Sequence, residues 1–102
     1  IKRAALLFWS DPPLDPATGL LVEGGIGVQA EQCIRNLFAI LDAAGLAETD
    51  VLHVKVYLVD MDDFAEMNDV YSSLFSTPYP ERTTIGVATL PLGAAVEIEL
   101  IA

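Results

Sequence analysis

The side chains that build metal centres and nucleophilic sites are scarce in this sequence. Its 102 residues include one histidine, His53, and one cysteine, Cys33. Zinc sites need three or four clustered nitrogen, sulfur or carboxylate ligands, and no such spacing surrounds His53. A nucleophilic triad lacks support as well, since no Gly-x-Ser-x-Gly elbow occurs. We therefore expect no metal site, a structural role for His53, and a core position for Cys33.

Two other motifs suggest ion or phosphate binding only at first sight. The acidic run Asp60–Asp63 lacks the spaced ligands, central glycine and closing glutamate of a calcium-binding EF-hand loop. The glycine-rich stretch Gly24–Gly27 precedes a helix, but no Lys-Ser/Thr pair follows it and Glu23 stands before it. We interpret the acidic run as a helix cap and the glycine-rich stretch as a flexible connection.

The charge balance bears on the choice of partner. Fifteen acidic and five basic residues give a formal net charge of −10. Nucleic-acid binding draws most of its affinity from Lys and Arg that neutralise phosphates. The basic residues are too scattered for a basic stripe: Lys2, Arg3, Arg35, Lys55 and Arg82. RNA and DNA are therefore disfavoured as partners.

Length and composition predict a single domain over residues 1–102. No apolar run approaches the roughly 18–20 residues that span a bilayer, so no transmembrane helix or membrane partner is expected. The start of the chain is a poor signal peptide, with a short apolar stretch and an unsuitable cleavage site at Ser10-Asp11-Pro12. A single cysteine also fits a reducing compartment, and the expected location is the cytoplasm.

Two amphipathic helices are predicted. Between Val28 and Ala44 the apolar residues recur at steps of three and four, and Gly45 provides a stop. Glu31 and Arg35 form a solvated pair on the other face. The second helix runs from about Asp63 to Phe75, behind capping aspartates.

Alternating residues predict the strands Ala4–Trp9, Leu20–Glu23, Val51–Val59, Arg82–Ala88 and a last one from Val96. The order β-β-α-β-α-β-β indicates an α+β (α/β) domain with one sheet and both helices on a single face. The helices should cover the face bearing Leu52, Val54, Val56, Leu58, Ile85, Val87, Val96, Ile98 and Leu100.

The opposite sheet face is then expected to mix apolar with charged groups. It would carry Val51, Tyr57, Val59, Ala88 and Ile101 among His53, Lys55, Arg82, Thr84, Glu97 and Glu99. Left in water, it would be a sizeable apolar patch. We therefore predict an oligomer of identical chains with a polar site between subunits.

The second half of the chain resembles the Rid family, the reactive-intermediate deaminases also called the YjgF or L-PSP family. The resemblance covers roughly Gln29 to Ala102. It is carried by seven segments in compatible order and spacing: Gln32–Leu37, Leu41–Gly45, Val56–Phe64, Asn68–Tyr71, Pro80–Thr84, Leu90-Pro91 and Val96–Ala102.

This resemblance implies a chorismate-mutase-like fold, with one mixed sheet, packed as a homotrimer with three clefts between subunits. It implies hydrolysis of reactive enamines and imines, such as 2-aminoacrylate, to 2-keto acids and ammonia, without a metal or organic cofactor. The implied partners are a small 2-imino or 2-keto acid and further copies of the chain.

Two side chains match catalytic positions of the family. Arg82 matches its substrate-binding arginine, and a guanidinium there can hold a carboxylate through two parallel hydrogen bonds. The alternative is a salt bridge to Glu81, Glu97 or Glu99. Glu97 matches a glutamate that orients or activates the attacking water, with an interface salt bridge as its alternative. Glu99 is expected to pair with Lys55 or a neighbouring chain.

Further positions match the walls of the family's cleft. Thr84 stands where many relatives carry cysteine, and its backbone N–H would bind the carboxylate. Ser10 matches a serine of the loop that lines the cleft. Asn68 matches a position on the second helix, where it could also hold a loop in place, and the neighbouring match Tyr71 is expected in the core.

The sequence also departs from the family pattern. Ser10-Asp11-Pro12 stands where members usually have Ser-Gly-Gln, so the cleft could be narrowed or reshaped. The family's first strand and a tyrosine-bearing loop are short or missing before Ile1. Either the sequence is a fragment, or this member lacks that wall of the pocket.

Three functions therefore compete. The leading prediction is a deaminase of 2-imino and 2-enamino acids. The alternative is a non-catalytic protein that binds small carboxylates such as 2-keto acids in the same cleft. A ribonuclease or translation inhibitor, suggested by names given to relatives, is weakened by the net charge of −10.

Overall fold

A mixed four-stranded sheet with two helices forms the part of the chain that the structure, a computed structural model, describes: residues 5–10 and 12–102. The elements in order are β1 (Leu7–Trp9), α1 (Ile26–Ala43), β2 (His53–Leu58), α2 (Phe64–Leu74), β3 (Glu81–Gly86) and β4 (Val96–Ile101). The strand order is β1-β4-β2-β3. β4 runs antiparallel to β1 and β2, whereas β3 runs parallel to β2 after the α2 crossover. The predicted α+β class with one mixed sheet is confirmed.

One face of the sheet packs against both helices and forms the core. The buried apolar side chains include Ile34, Leu37 and Leu41 of α1, Met67 and Tyr71 of α2, Val54, Val56 and Leu58 of β2, and Val96, Ile98 and Leu100 of β4. Each fully buried aliphatic side chain stabilises the fold by about 1.5–3 kcal/mol. Cys33 is fully buried in the same cluster, as predicted. Neither helix is long and apolar enough to cross a membrane.

The predicted stop of α1 is confirmed, whereas the predicted aspartate cap lies at the 3₁₀ turn before α2 and not at the α2 N-cap Asp63, whose side chain makes no capping hydrogen bond. Gly45 follows the end of α1 with φ of 76°, a conformation that only glycine adopts at little cost. The Asp60 side chain accepts a hydrogen bond from the Asp62 amide at 2.9 Å, at the start of the short 3₁₀ turn that leads into α2. The acidic run therefore serves the helix entry.

The strand predicted at Leu20–Glu23 is wrong. This segment makes only one isolated bridge, between Leu21 and Leu14, within its own loop. The loop contains three prolines, which lack the N–H that a sheet ladder needs. The apolar residues therefore close a local turn. The Ala4 end of the first predicted strand lies outside the described residues.

The predicted faces of β3 are also wrong. In the sheet register Arg82 stands beside Val54 and Thr84 beside Val56, so both side chains lie on the helix-covered face. Ile85 stands beside Tyr57 on the open face and is 39% exposed. β3 is an edge strand, and there apolar residues need not point toward the core. In β2 the core face begins at Val54, because Leu52 precedes the strand and is exposed while Val51 is buried.

A carboxylate of α2 caps α1 across the helix pair. The Gly27 amide in the first turn of α1 donates to Glu66 Oε2 at 2.9 Å, and Gly25 at the N-cap offers no side chain for that purpose. A negative group at a helix N-terminus is favoured by the unpaired amides and by the helix dipole.

We predict that Glu66→Ala lowers the free energy of unfolding by about 0.5–1 kcal/mol, because the first turn of α1 loses its acceptor and its favourable charge. Urea denaturation measures the change. Asp69→Ala is the matched control, since it removes the same charge from an exposed position of the same helix. Equal losses in the two variants would contradict the capping role.

Candidate functional site

Arg82 lies on the helix-covered face of β3 and points to α2. Its guanidinium carbon is 4.6 Å from the ring centroid of Tyr71 and 5.3 Å from that of Phe64. Its Nη1 donates to Asn68 Oδ1 at 2.6 Å. A cation over an aromatic face gains about 0.5–2 kcal/mol, and the amide fixes the orientation of the group. Two rings and one amide therefore hold the guanidinium in place.

No carboxylate of the described residues neutralises Arg82. The acid–base contacts found in this part of the chain are Arg35 with Glu31, His53 with Glu81, and Lys55 with Glu99. The alternative of a salt bridge from Arg82 to a glutamate is thus not supported within the chain, whereas the predicted Lys55–Glu99 and Glu31–Arg35 pairs are confirmed. Because arginine stays protonated, the cleft keeps a positive charge with spare donors.

A cleft of about 220 Å³ opens beside this guanidinium. The Tyr79 hydroxyl donates to the Ser72 carbonyl oxygen at 3.2 Å and so fixes one wall. The lining consists of Asn68, Tyr71, Ser72, Tyr79, Pro80 and Arg82. A cation at the side of a space this small suits a small anion.

Tyr71 forms part of the core, as predicted, and also part of the cleft floor. It is 3% exposed and stacks on Phe75, with 4.5 Å between the ring centroids. Burial raises the pKa of its hydroxyl, and the nearby Arg82 charge partly opposes that rise. The ring therefore stays a neutral platform beneath the guanidinium.

Thr84 lies two residues beyond Arg82 on the same face of β3. Its hydroxyl oxygen is buried without a hydrogen-bond partner among the described residues. Since β3 is a free edge of the sheet, alternate backbone groups along it have no strand partner. β3 and α2 thus bring Arg82 and Asn68 together, whereas Thr84 is not among the residues that line the cleft of about 220 Å³.

Ser10 lies elsewhere. It follows β1 at the opposite edge of the sheet, three strand spacings or about 14 Å from β3. It is 6% exposed, and its hydroxyl oxygen accepts a hydrogen bond from the Ile98 amide at 3.0 Å. Within one chain, Ser10 therefore does not reach the cleft beside Arg82.

Glu97 occupies the open face of β4 and is nearly buried there, at 4% exposure. Its Oε2 accepts a hydrogen bond from the Trp9 indole N–H at 3.1 Å. Its Oε1 is buried with no partner among the described residues. A carboxylate with one hydrogen-bonded oxygen and one oxygen without a partner can take and return a proton.

Glu99, two residues along the same face, is more fully engaged. Its Oε1 accepts a hydrogen bond from the Tyr57 hydroxyl at 2.6 Å and lies 4.0 Å from Lys55 Nζ. Burial raises the pKa of Tyr57 to about 12, and the hydrogen bond and charge of Glu99 add to that rise. Glu99 is held by a phenol and a lysine, as expected of a structural pair.

Arg82 and Glu97 lie on opposite faces of the sheet. Arg82 stands beside Val54 and Glu97 beside Tyr57, three residues apart on the same strand, where side chains alternate. Two strand spacings, about 10 Å, further separate β3 from β4. The expectation that both share the open face is therefore wrong for Arg82, and within one chain the sheet separates the two groups.

The remaining polar candidates form no centre of their own. No group of three or more His, Cys, Asp or Glu side chains in residues 5–10 and 12–102 could hold a metal ion. His53 Nε2 lies 3.3 Å from the Thr83 hydroxyl, on the surface. Burial raises the pKa of the Cys33 thiol to about 12, against a smaller lowering by a hydrogen bond with Ser10. This cysteine is no substitute for a reactive thiol.

Sequence reasoning missed two kinds of residue at these sites. The first is Phe64, whose ring lies against the Arg82 guanidinium, and Tyr79, which lines the same cleft; no motif in the sequence linked either residue to a site. The second is Trp9, which carries the indole N–H at Glu97 but sits 88 positions away in sequence. A polar donor on a large ring in the first strand is the signal that could have prompted a search for an acceptor.

Comparisons with known proteins agree with this fold. The model of the family described as Endoribonuclease L-PSP matches residues 1–102. A RutC family protein of Pyrococcus horikoshii is 48% identical over 103 residues, covering 100% of this chain and 82% of the relative. The 2-iminobutanoate/2-iminopropanoate deaminase of Bos taurus is 46% identical over 89 residues, covering 87% of this chain and 65% of that enzyme.

A solved structure agrees in three dimensions as well. RidA from the Antarctic bacterium Psychrobacter sp. PAMC 21119 superposes with a TM-score of 0.84 at 46% identity, covering 88% of this chain and 72% of that one. The sequence motifs, the mixed sheet with its two helices and these matches agree throughout. The chain belongs to the Rid family, also called the YjgF or L-PSP family.

Proposed function

We propose that this protein hydrolyses reactive 2-imino and 2-enamino acids, such as 2-aminoacrylate, to 2-keto acids and ammonia. The observation that carries the proposal is Arg82, a cation held in a small cleft by Asn68 and two aromatic rings, with no carboxylate of the described residues beside it. The deaminase name of the bovine relative supports the same chemistry. A cytoplasmic location, and operation without a cofactor, are part of the proposal.

In this mechanism Arg82 binds the substrate carboxylate through paired hydrogen bonds, and the Thr84 amide adds a third. Each charge-assisted bond contributes about 1.5–3 kcal/mol. Asn68 keeps the guanidinium oriented by accepting one of its N–H groups. Binding one end of the substrate in this way places its C=N carbon at a fixed distance from the cleft walls.

Glu97 supplies the proton transfers. It removes a proton from a water molecule as the water oxygen bonds to the imine carbon, and the electrons of the C=N π bond pass to nitrogen, which takes up a proton. The resulting carbinolamine loses its protonated nitrogen as ammonia, and the hydroxyl proton leaves as the C=O bond forms. An enamine first accepts a proton at its β-carbon and becomes the imine. The balance is imine plus water to keto acid plus ammonia.

Two copies of the chain are needed to bring these groups to one substrate. Arg82 and Glu97 lie on opposite faces of one sheet, and Ser10 lies at the far edge. The open face also exposes apolar area at Leu7, Trp9 and Ile85, which favours self-association. We infer a homotrimer in which Arg82, Asn68 and Thr84 of one subunit meet Glu97 and Ser10 of a neighbour.

We predict that Arg82→Ala lowers kcat/KM at least 10- to 100-fold, since each lost charge-assisted bond costs about 1.5–3 kcal/mol. Arg82→Lys keeps the charge but loses the paired geometry and falls in between. An amino-acid oxidase coupled to semicarbazide trapping supplies the imine and measures its loss. Arg35→Ala, which removes an arginine from the exposed face of α1, is the matched control.

Three results decide between the functions. If the wild-type protein leaves semicarbazone formation unchanged, the deaminase proposal fails. Calorimetric binding of pyruvate without turnover would then favour the carboxylate-binding alternative, which needs Arg82 alone. A salt-sensitive complex with RNA would instead favour the ribonuclease interpretation, against the net charge of −10.

We further predict that inactive subunits complement each other. Arg82→Ala and Glu97→Gln subunits, unfolded together and refolded at equal concentration, should regain up to about a quarter of wild-type activity, because one in four neighbouring pairs then has both native groups. The separately refolded variants are the controls. A mixed sample no more active than either variant alone would show that a site draws both groups from one chain.

A further inference from the structure

The indole of Trp9 lies at the side chain to which the proposed mechanism assigns proton transfer. Its Nε1 donates to Glu97 Oε2 at 3.1 Å, while Glu97 Oε1 has no partner among the described residues. On this geometry, and resting on the proposed function, we propose that Trp9 is a positioning residue: its N–H fixes one oxygen of Glu97 and leaves the other to take the proton of the attacking water.

The indole is itself held by its neighbours on the open face. Trp9 stacks on Tyr57 with 5.8 Å between ring centroids and 19° between ring planes. The Tyr57 hydroxyl is fixed by Glu99, and Lys55 Nζ lies 5.9 Å from the Tyr57 ring centroid. These contacts form a continuous row of side chains across β1, β4 and β2. Because these contacts hold the Trp9 indole in place, its N–H restricts the rotation of the Glu97 carboxylate.

The two neighbouring glutamates therefore differ in what they can do. Glu99 already accepts a hydrogen bond from the Tyr57 hydroxyl and lies beside Lys55, so both contacts stabilise its charged form. Glu97 receives one neutral donor, and its other oxygen is buried without a partner among the described residues. A proton transfer needs that arrangement, since one oxygen must accept the proton while the other maintains the position of the group.

Steady-state kinetics test this role. Trp9→Phe keeps a ring to stack on Tyr57 but removes the N–H, and we expect kcat to fall about tenfold or more while KM changes less than twofold, because Arg82 still binds the carboxylate. If Trp9 served only to pack against Tyr57, the kcat of Trp9→Phe would stay close to that of the wild type, and only Trp9→Ala would be impaired. Wild-type kcat in Trp9→Phe would overturn the proposal. Light scattering and circular dichroism establish that each variant keeps its assembly and fold.

A double-variant cycle tests whether Trp9 acts through Glu97. In a Glu97→Gln background, Trp9→Phe should change the residual kcat by less than twofold, because the group that Trp9 positions is already gone. Equal fold losses in the two backgrounds would mean that Trp9 acts independently of Glu97, and would overturn the inference.

Fluorescence separates failure of this inference from failure of the proposed function. Trp9 is the only tryptophan of the chain, so intrinsic emission reports on this position alone. We expect pyruvate to shift that emission in the wild-type protein and not in Arg82→Ala. An active enzyme in which calorimetry detects pyruvate binding but emission is unchanged overturns the placement of Trp9 at the site. A protein without turnover whose emission still shifts overturns the deaminase function but supports the placement.

Discussion

Arg82 has no acidic partner among residues 5–10 and 12–102, and this unpaired charge determines what the surrounding side chains must do. Removing a guanidinium from water is costly unless other groups replace its hydration. Here aromatic faces and one amide oxygen do so only in part, and the remaining N–H groups of the guanidinium have no partner among the described residues. Had a glutamate of the same chain filled that place, the site would be closed to anionic ligands. In the proposed function, this unpaired guanidinium is what binds the substrate carboxylate in an otherwise strongly acidic protein.

The sheet explains why the groups assigned to substrate binding and to proton transfer in the proposed mechanism lie apart within one chain. One face is occupied by two helices, and the open face carries a row of aromatic and charged side chains. β3 belongs to both environments, because it is an edge strand whose helix side is only partly covered. The proposed binding residues therefore lie where α2 meets the edge strand, whereas the nearly buried Glu97 carboxylate lies in the interior of the open face. In the proposed assembly, contact between copies brings Arg82 of one subunit close to Glu97 of its neighbour.

The helices, most of the strands and the motif at Arg82 could be predicted from the sequence, and the predictions that were wrong have physical causes. Periodicity located both helices and four strands, because burial against a single face imposes it. It predicted a strand at Leu20–Glu23, where prolines turn an apolar segment into a local loop. It also reversed the two faces of β3, because the apolar side chains of an edge strand need not point toward the core. The motif at Arg82 identified the residue without its surroundings, since Phe64 and Tyr71 belong to a helix whose placement only the fold determines. The contact of Trp9 with Glu97 joins the two ends of the chain, beyond the reach of any local pattern.

The carboxylate of Glu66, which caps α1 from α2, has a consequence beyond stability. Asn68 stands two residues later and Tyr71 one turn further along the same helix, so the helix that caps α1 also carries two of the groups that hold the guanidinium. Changes that loosen the start of α1 would therefore be transmitted to ligand affinity without touching the cleft. One hydrogen bond, from Gly27 to Glu66, would then link the stability of the helix pair to the affinity of the proposed site.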